Sequence, residues 1–205
     1  MGLNGSNLFR NSIFEFRIFR KMRIISGTSR GRRLATPKGH SLRPTSDRVK
    51  ESIFNILGDE VQGKVVLDLF AGTGSLGIEA LSRGAKKTFF VERAKGALRL
   101  IEKNLLQCGF PCQAEIIPKE VNRAITLLKA RGESVDLILM DPPYEKGWIQ
   151  RTLLKMDEHP IYHEGTVLVI EHGRREPLPQ KTGRWTIIKQ KRMGDTIISI
   201  LQAGG

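Results

Sequence analysis

The sequence predicts an α/β fold: a mostly parallel sheet covered by helices on both faces, with an antiparallel hairpin at its C-terminal end. Two observations support this prediction. From about residue 65 onward, short apolar runs alternate with helix-length amphipathic segments, which is typical of parallel sheets with crossover helices. The apolar runs, such as VDLILM, are almost continuous, as expected for strands buried on both faces.

The segment before the first apolar run contains a basic turn and a helix. The alternating stretch MRIIS and the turn-rich GTSRGRRLATPKG predict a small basic β-hairpin that begins at Met22. In LRPTSDRVKESIFNIL, apolar residues recur along one helical face, Ser46 or Asp47 can cap the helix, and Gly58 can end it. Residues 22–58 are therefore expected to form a small basic extension of the main domain.

Seven strands and four further helices are predicted after this extension, in a domain that we assign to residues 59–205. The helices span about residues 75–82, 95–107, 121–130 and 148–156. The last two strands are joined through KRMGD and are expected to close one edge of the sheet as a hairpin. In chain order the strands read VVLDLF, KTFFVE, AEII, VDLILMD, TVLVIEH, RWTIIKQ and DTIISIL.

Positive charge is concentrated near the N-terminus. The chain has 205 residues with 34 Lys and Arg against 21 Asp and Glu, and its net charge of +13 favours a polyanionic partner. Residues 1–50 hold 12 of the basic residues and only 2 of the acidic ones. Residues 1–21 precede the organised pattern, and we expect them to be a disordered or dispensable extension.

Composition argues against several classes of protein. Cys108 and Cys112 are the only cysteines, too few for a zinc site or a disulfide framework, and the four histidines are scattered, so we expect no metal. No apolar run approaches the roughly 18 residues of a membrane span, and the N-terminus lacks the apolar core of a secretory signal. The sequence therefore predicts a cytoplasmic protein without membrane contact.

A glycine-rich turn, GTGSLG at residues 72–77, follows the first strand and fits the G-x-G-x-x-G pattern of dinucleotide-binding proteins. Asp68 precedes the glycines, and a carboxylate at that place would repel a pyrophosphate and suit a cation. S-adenosylmethionine carries a sulfonium and an α-ammonium at one end and a ribose diol at the other. Asp68 and Glu92 are candidates for holding these two ends. Close packing of a helix on a strand, without a ligand, is the alternative.

A second motif, DPPY at residues 141–144, follows another apolar run. Strand ends converge at one edge of a parallel sheet, so Asp68, Glu92 and Asp141 are expected to lie together. The two prolines lack backbone donors, and the Pro142 carbonyl with Asp141 can hold both N–H bonds of a nucleobase amine. Tyr144 can stack on a base that has been splayed out of a helix. An ordinary strand-ending turn, with Tyr144 in the core, is the alternative.

These motifs carry a family resemblance that spans about residues 22–201. The stretches LDLFAGTGSLGIEALSRGA, FFVER, DLILMDPPY, RIISGTSRGRRL and LRPTSDRVKESIFNIL closely resemble the RsmD-like 16S rRNA guanine-N2 methyltransferases. The resemblance implies a seven-stranded Rossmann-like class I methyltransferase fold, S-adenosylmethionine as cofactor, and methylation of the exocyclic amine of guanine 966 of 16S rRNA. The catalytic residues that it implies are Asp141, Pro142, Pro143 and Tyr144. The cofactor-binding residues that it implies are Asp68, Phe70, Ala71, Gly72, Thr73, Gly74, Gly77, Glu92, Arg93 and Glu120.

The basic segment is the predicted RNA contact. Candidates for phosphate contacts are Arg30, Arg32, Arg33 and Lys38, with a merely solvated basic face as the alternative. Arg43 and Arg48 flank a Pro-Thr turn and can order the cofactor or the target base, or else belong to a capped helix with salt-bridged arginines. We expect a monomer that acts on 16S rRNA, either naked or within a partly assembled or complete small ribosomal subunit.

Three other functions stay open on the sequence. A DNA methyltransferase acting on adenine N6 or cytosine N4 needs the same acceptors, but such enzymes usually add a target-recognition domain for which this chain has no room. A catalytically silent nucleic-acid-binding module has no need of an intact DPPY motif. An NAD oxidoreductase leaves both Asp68 and DPPY unexplained.

Overall fold

The computed structural model describes residues 22–37 and 46–204 of the protein. These residues form an eight-stranded sheet with α-helices on both faces. Two short 3₁₀ helices, Gly58–Val61 and Pro111–Gln113, lie in the connections. The strands and α-helices follow one another as α1 Asp47–Leu57, β1 Val65–Leu69, α2 Ser75–Ser82, β2 Lys87–Val91, α3 Lys95–Cys108, β3 Ala114–Ile117, α4 Val121–Ala130, β4 Val135–Met140, α5 Trp148–Glu158, β5 Tyr162–Gly173, β6 Lys181–Thr182, β7 Trp185–Met193 and β8 Thr196–Ala203.

The sheet has the predicted parallel body and antiparallel end. Its strand order is β3-β2-β1-β4-β5-β8-β7-β6, and the first five strands are parallel. Strand β8 inserts antiparallel between β5 and β7, so the last two long strands form the expected hairpin. The count differs from the predicted seven because β6 adds a two-residue strand beside β7, which is too short to produce a periodic pattern.

The order of the strands reverses between β1 and β4. From β1 the chain moves outward through β2 and β3, and it then returns to place β4 on the other side of β1. A crevice forms outside the carboxyl ends of the strands at such a point, because the connections on either side run to opposite faces of the sheet. This crevice is where a ligand is expected to bind.

Each face of the sheet has its own apolar core, as predicted for strands covered on both sides. One core combines residues of α1, α2 and α3 with alternate strand residues such as Val66. The other combines residues of α4 and α5 with the neighbouring strand residues such as Leu67. Among the described residues no helix is long and apolar enough to cross a membrane.

The boundaries of α1 follow the predicted signals. The hydroxyl of Ser46, rather than the carboxylate of Asp47, caps the helix by accepting a hydrogen bond from the amide of Val49 at 3.2 Å. Gly58 ends the helix with a φ of 55°, a backbone conformation that glycine adopts without steric cost.

The predicted basic hairpin is a docked loop rather than a pair of strands. Its two sides are joined by a single antiparallel bridge between Arg23 and Arg33 among the described residues, with further backbone bonds from Ile24 to Arg32 and from Leu34 to Met22. Residues 1–21, which we expected to be dispensable, lie outside the described residues, and so do Lys38 and Arg43. The division of the chain at residues 21 and 58 stays a prediction.

Buried polar side chains attach this loop, residues 22–37, to the sheet domain. The carboxylate of Glu79 accepts hydrogen bonds from the amides of Ile25 and Ser26 at 2.8 and 3.0 Å, and it lies 3.8 Å from the buried ammonium of Lys50. Burial lowers the pKa of Lys50, although the charge of Glu79 opposes this shift. Gly27 approaches α2 so closely that an added Cβ would lie 1.7 Å from the carbonyl oxygen of Ser82.

Candidate active site

A cavity of about 750 Å³ lies at the carboxyl ends of the parallel strands. Asp68 of β1, Glu92 just after β2 and Asp141 just after β4 all line it. The expected convergence of these three carboxylates follows from the parallel register, which places the strand ends at one edge of the sheet.

Most of the predicted catalytic and cofactor-binding residues line the same cavity, and two glycines do not. Besides the three carboxylates, the lining includes Phe70, Ala71, Gly72, Thr73, Arg93, Glu120, Pro142, Pro143 and Tyr144. Gly74 instead starts α2 with a φ of 77°. Gly77 packs against β2, where an added Cβ would come within 2.3 Å of the ring of Phe90. These two glycines shape the turn and let the helix approach the sheet.

Asp68 holds the glycine-rich turn from beneath. It is 2% exposed, and one carboxylate oxygen accepts a hydrogen bond from the amide of Gly77 at 2.9 Å. Burial raises the pKa of Asp68 to about 8; the Gly77 amide opposes the rise, and the charges of Asp141 and Glu92 add to it. A cation bound in the cavity would favour the ionised carboxylate and would therefore lower the pKa of Asp68 again.

Glu92 ties the turn to the start of α3. Its carboxylate accepts hydrogen bonds from three backbone amides, those of Gly72 at 3.0 Å and of Arg93 and Ala94 at 2.7 Å. A carboxylate has about four acceptor positions, so one position is left for a ligand hydroxyl. The residue therefore combines the predicted ligand contact with a structural role that its position in the sequence does not reveal.

An aromatic wall stands beside the turn. Phe70 has a φ of 62°, which is unusual for a residue with a side chain, and its ring meets that of Trp148 edge-on at 5.7 Å. Both residues line the cavity. The strained backbone of Phe70 lies in the cavity wall, and such strain is commonly found at functional sites.

Glu120 lines the cavity from the connection between β3 and α4. One carboxylate oxygen, Oε2, caps α4 by accepting from the amides of Asn122 and Arg123 at 3.0 and 3.4 Å. The other oxygen, Oε1, is buried and has no hydrogen-bond partner among the described residues. A buried acceptor without a donor is costly, so this oxygen is suited to a donor on a ligand.

The DPPY motif is anchored by the next two strands of the sheet, β5 and β8. The hydroxyl of Tyr144 donates to Glu171 of β5 at 2.9 Å and lies 3.3 Å from the hydroxyl of Thr196 of β8. The Tyr144 ring packs over Gly173, where an added Cβ would be 3.3 Å from the ring. Burial and then the charge of Glu171 raise the pKa of Tyr144, so the phenol keeps its proton at physiological pH.

Glu171 is a site residue that the sequence reasoning missed. It is 6% exposed and lines the cavity together with Asp141 and Tyr144. The available signal was an acidic residue near the carboxyl end of the apolar run TVLVIEH, the same signal that singled out Asp68.

The cavity is richer in carboxylates than in cationic groups. Within the described part of the chain, five acidic residues line it, against three basic residues. This excess favours a ligand that carries positive charge over a pyrophosphate. The described residues contain no group of three or more His, Cys, Asp or Glu side chains arranged to hold a metal ion. The acidic side chains are Asp68, Glu92, Glu120, Asp141 and Glu171, and the basic ones are Arg93, Lys119 and Lys146.

The basic loop reaches the cavity only with its ends. Met22 and Pro37 line the cavity, and the hydroxyl of Thr73 donates to the sulfur of Met22 at 3.5 Å. Asn104 joins the loop to the glycine turn, because its amide group donates to the carbonyls of Ala35 at 3.1 Å and of Thr73 at 2.9 Å. The ends of the loop therefore form part of the cavity wall.

Of the predicted phosphate-binding arginines, Arg30 lies in the turn at the opposite end of the loop, whereas Arg33 pairs with Arg23, next to Met22. Arg30, Arg32 and Arg33 are exposed, and Arg32 donates to the carbonyl of Gln107 in the last turn of α3. The same loop tip contacts Ser82, the last residue of α2. Because α2 starts beside the cavity and is eight residues long, the tip is displaced from the cavity by about 12 Å. Arg48 is exposed in the first turn of α1 and does not line the cavity.

Comparison with known proteins identifies the family. A family model described as conserved hypothetical protein 95 matches residues 22–202. The chain belongs to this family. Its relatives include YlbH from Bacillus subtilis (strain 168), which is 38% identical over 184 residues that cover 90% of this chain and 100% of YlbH. Ribosomal RNA small subunit methyltransferase D from Escherichia coli (strain K12) is 30% identical over 184 residues, covering 89% of this chain and 90% of that protein.

A solved structure shows that the family fold is the one found in this chain. The yhhF protein from Escherichia coli matches with a TM-score of 0.77 and 27% identity, covering 90% of this chain and 98% of that chain. The predicted likeness to the RsmD-like methyltransferases is thereby confirmed, and so is the Rossmann-like methyltransferase fold. The matched region begins at Met22, the residue at which the predicted organised pattern begins.

Proposed function

We propose that this protein is a 16S rRNA guanine-N2 methyltransferase, which transfers a methyl group from S-adenosylmethionine to the exocyclic amine of a guanine of the guanine 966 type. The main supporting observation is that Asp68, Asp141 and Tyr144 share one acidic cavity at the reversal point of the sheet. The relationship to ribosomal RNA small subunit methyltransferase D supports methylation of small-subunit rRNA. With rRNA as substrate, the reaction belongs in the cytoplasm.

The cavity suits S-adenosylmethionine at several places. Asp68 lies beneath the glycine turn, where its carboxylate can offset the positive end of the cofactor. Glu92 has an acceptor position for a ribose hydroxyl, and the buried oxygen of Glu120 can accept from the adenine amine. When bound, the cofactor supplies an electrophilic methyl group on a positively charged sulfur.

The DPPY motif is proposed to orient the target amine. The aromatic amine of guanine is a weak nucleophile, because its lone pair is delocalised into the ring. Asp141 and the Pro142 carbonyl accept its two N–H bonds and direct the lone pair at the methyl carbon, which is mainly a positioning effect. The N–C bond then forms as the C–S bond breaks, the C–S electron pair stays on sulfur, and one amine proton leaves toward Asp141.

Tyr144 is proposed to bind the face of the target base. Its hydroxyl is held by Glu171 and Thr196, so the ring cannot turn away freely. A fixed aromatic ring loses little conformational entropy when a base stacks on it, and such stacking stabilises single-stranded nucleic acid by about 1 to 3 kcal/mol per base. The target guanine must leave its helix to reach this position.

The arginine tip of the basic loop is proposed to bind RNA phosphates beside the target nucleotide. Because the tip is displaced from the cavity by about one α2 length, Arg30 would contact backbone beyond the target nucleotide, with Arg32 and Arg33 closer to the cavity. Lys38, Arg43 and Arg48 are proposed as further RNA contacts. We further propose that the protein acts as a monomer.

A labelled-cofactor experiment tests this function. The protein is incubated with S-adenosylmethionine carrying a labelled methyl group and with total RNA, DNA, naked 16S rRNA, or small ribosomal subunits isolated at early and late assembly stages. The modified nucleoside is identified after complete digestion, and its position is mapped by mass spectrometry of ribonuclease fragments. Asp141→Ala serves as the matched control, because cofactor binding should survive while transfer is lost.

The expected product is N2-methylguanosine in 16S rRNA. Methylated adenine or cytosine in DNA would establish the rival DNA methyltransferase. RNA binding without label transfer, from a protein that binds the cofactor, would indicate a silent nucleic-acid-binding module. The rate of labelling across naked rRNA and the two classes of particle identifies the preferred substrate.

A further inference from the structure

Glu171 is a buried acid within the cavity whose only assigned role so far is to hold the hydroxyl of Tyr144. It lies near the end of β5, is 6% exposed, and accepts a hydrogen bond from Tyr144 at 2.9 Å through Oε1. Asp141 and Tyr144 line the same cavity, so Glu171 stands beside the place proposed for the target base.

The sheet fixes the position of this carboxylate. In the antiparallel ladder between β5 and β8, Glu171 pairs with Ile198 and Gly173 pairs with Thr196. The Tyr144 hydroxyl reaches both Glu171 and Thr196, and the Tyr144 ring covers Gly173. Two strands and one aromatic ring therefore restrain Glu171, and a restrained acceptor discriminates between ligands better than a mobile one.

The hydrogen-bonding edge of guanine differs from that of the other bases with an exocyclic amine. On the Watson–Crick edge of guanine the N2 amine is adjacent to the ring N1–H, and both of these groups are donors; N3, on the other side of the amine, has a lone pair. In adenine and cytosine the amine is adjacent to a ring nitrogen with a lone pair, which is an acceptor. A carboxylate only accepts hydrogen bonds, so it attracts the N1–H of guanine and repels the corresponding lone pair of the others.

We propose that Glu171 is the residue that selects guanine, by accepting a hydrogen bond from the ring N1–H of the target base. This inference rests on the proposed function, in which Asp141 and Pro142 hold the adjacent N2 amine. The two carboxylates then bind adjacent groups of the base. Asp141 orients the reacting N2 amine, and Glu171 accepts from the neighbouring N1–H.

A purely structural role for Glu171 makes a different prediction. If the residue only holds Tyr144, its loss should lower the methylation rate of every base that stacks on that ring by a similar factor. If it reads N1–H, its loss should change the ratio of rates between bases that do and do not carry this hydrogen.

The test compares two RNA substrates that both carry the reacting amine. A 16S rRNA fragment is prepared by ligation with either guanine or 2-aminopurine at the position that the enzyme methylates. The 2-amino group is present in both bases, but N1 of 2-aminopurine has a lone pair in place of the hydrogen. The value of kcat/KM is measured for each substrate with the wild-type protein and with Glu171→Gln.

The wild-type protein should prefer guanine by about 100-fold or more, because a site built to accept a hydrogen bond rejects a base that lacks the donor. The side-chain amide introduced by Glu171→Gln can both accept from Tyr144 and donate to the lone pair of 2-aminopurine. This substitution should therefore reduce the rate with guanine and bring the preference to within about tenfold.

Thr196→Val provides the matched control. It removes the other hydroxyl near Tyr144 and leaves the Glu171 carboxylate in place. The value of kcat/KM should fall by a similar factor for both substrates, so the preference for guanine should stay within about threefold of the wild-type value. Cofactor affinity, measured by calorimetry, verifies that each variant is folded.

Two results would overturn the inference while leaving the proposed function intact: a wild-type protein that methylates guanine and 2-aminopurine equally well, or a Glu171→Gln variant that slows both by one factor. The first result needs no variant, so it applies even if Glu171→Gln does not fold. A wild-type protein that forms no N2-methylguanosine would overturn the proposed function and the inference with it.

Discussion

The affinity of the protein for S-adenosylmethionine should increase with pH, because Asp68 must lose its proton to stabilise a cation. Burial raises the pKa of this carboxyl group to about 8. In the free protein Asp68 is therefore mostly neutral at pH 6. A positively charged ligand favours the ionised form, so its binding must lower this pKa.

The size of the effect follows from that value. A group with a pKa of about 8 is ionised in about 1 molecule in 100 at pH 6 and in about half at pH 8. If the ligand binds only the ionised form, its affinity rises by about 50-fold between these pH values, which is about 2.3 kcal/mol, and levels off above pH 8. At pH 7, binding should release about 0.9 proton from Asp68.

Calorimetry measures both quantities. Titrations at pH 6, 7 and 8 give the affinity, and titrations at pH 7 in buffers of different ionisation enthalpy give the number of protons released. Asp68→Asn is the control, because its amide oxygen can still accept from Gly77 while the group no longer titrates. Titration of the ammonium group of the cofactor affects both proteins alike, so the difference between them reports Asp68.

The same pKa shift has a second consequence. Because the folded pKa lies above the ordinary value of 3.8, the folded protein binds this proton more tightly than the unfolded chain does. Asp68 therefore costs stability progressively as pH rises from 3.8 toward 8, and Asp68→Asn should remove that part of the pH dependence. Equal pH dependence of cofactor affinity in the wild-type protein and Asp68→Asn would refute the proposed role of this carboxylate.

Three further outcomes test other parts of the molecule. Asp141→Ala should nearly abolish methyl transfer in single-turnover assays and leave cofactor affinity within about tenfold, and equal losses in both would show that the residue supports the cofactor instead. Gly27→Ala should lower the free energy of unfolding by about 2 to 4 kcal/mol in urea denaturation, because the new Cβ meets the backbone of α2; Gly31→Ala, with a similar φ but open space around it, should cost only about 1 to 2 kcal/mol. Neutralising the basic loop should weaken RNA binding and should reduce the slope of log affinity against log salt concentration by just under one unit per lost phosphate contact. Deletion of residues 1–21 should change this slope little. An unchanged slope after neutralisation would mean that the loop is a solvated basic face that does not contact RNA. The substitutions in the loop are Arg30→Gln, Arg32→Gln, Arg33→Gln and Lys38→Gln.

The sequence by itself determined the local elements and the ends of the strands. The α-helices and the long strands of the described residues follow from apolar periodicity. A helix repeats its apolar positions about every 3.6 residues and a strand every 2 residues, so each pattern can be recognised within one short segment of sequence. The prediction that Asp68 and Asp141 share a cavity also succeeded, because parallel strands end at a common edge. The two-residue β6 is too short to show a period, and the alternating stretch at Met22 suggested a hairpin where the structure has a docked loop with a single bridge.

Only the tertiary structure decided how distant residues meet around the site. Glu171 joins Tyr144 from 27 residues away because β5 pairs with β4, and Thr196 joins it from 52 residues away because β8 inserts beside β5; no local pattern records either pairing. Met22 reaches the cavity while the tip of the same loop contacts the last residue of α2, because buried bonds to Glu79 and Ser82 set the direction of the loop. Periodicity reports which face of an element is apolar, but the strand order and these buried polar contacts decide what that face meets.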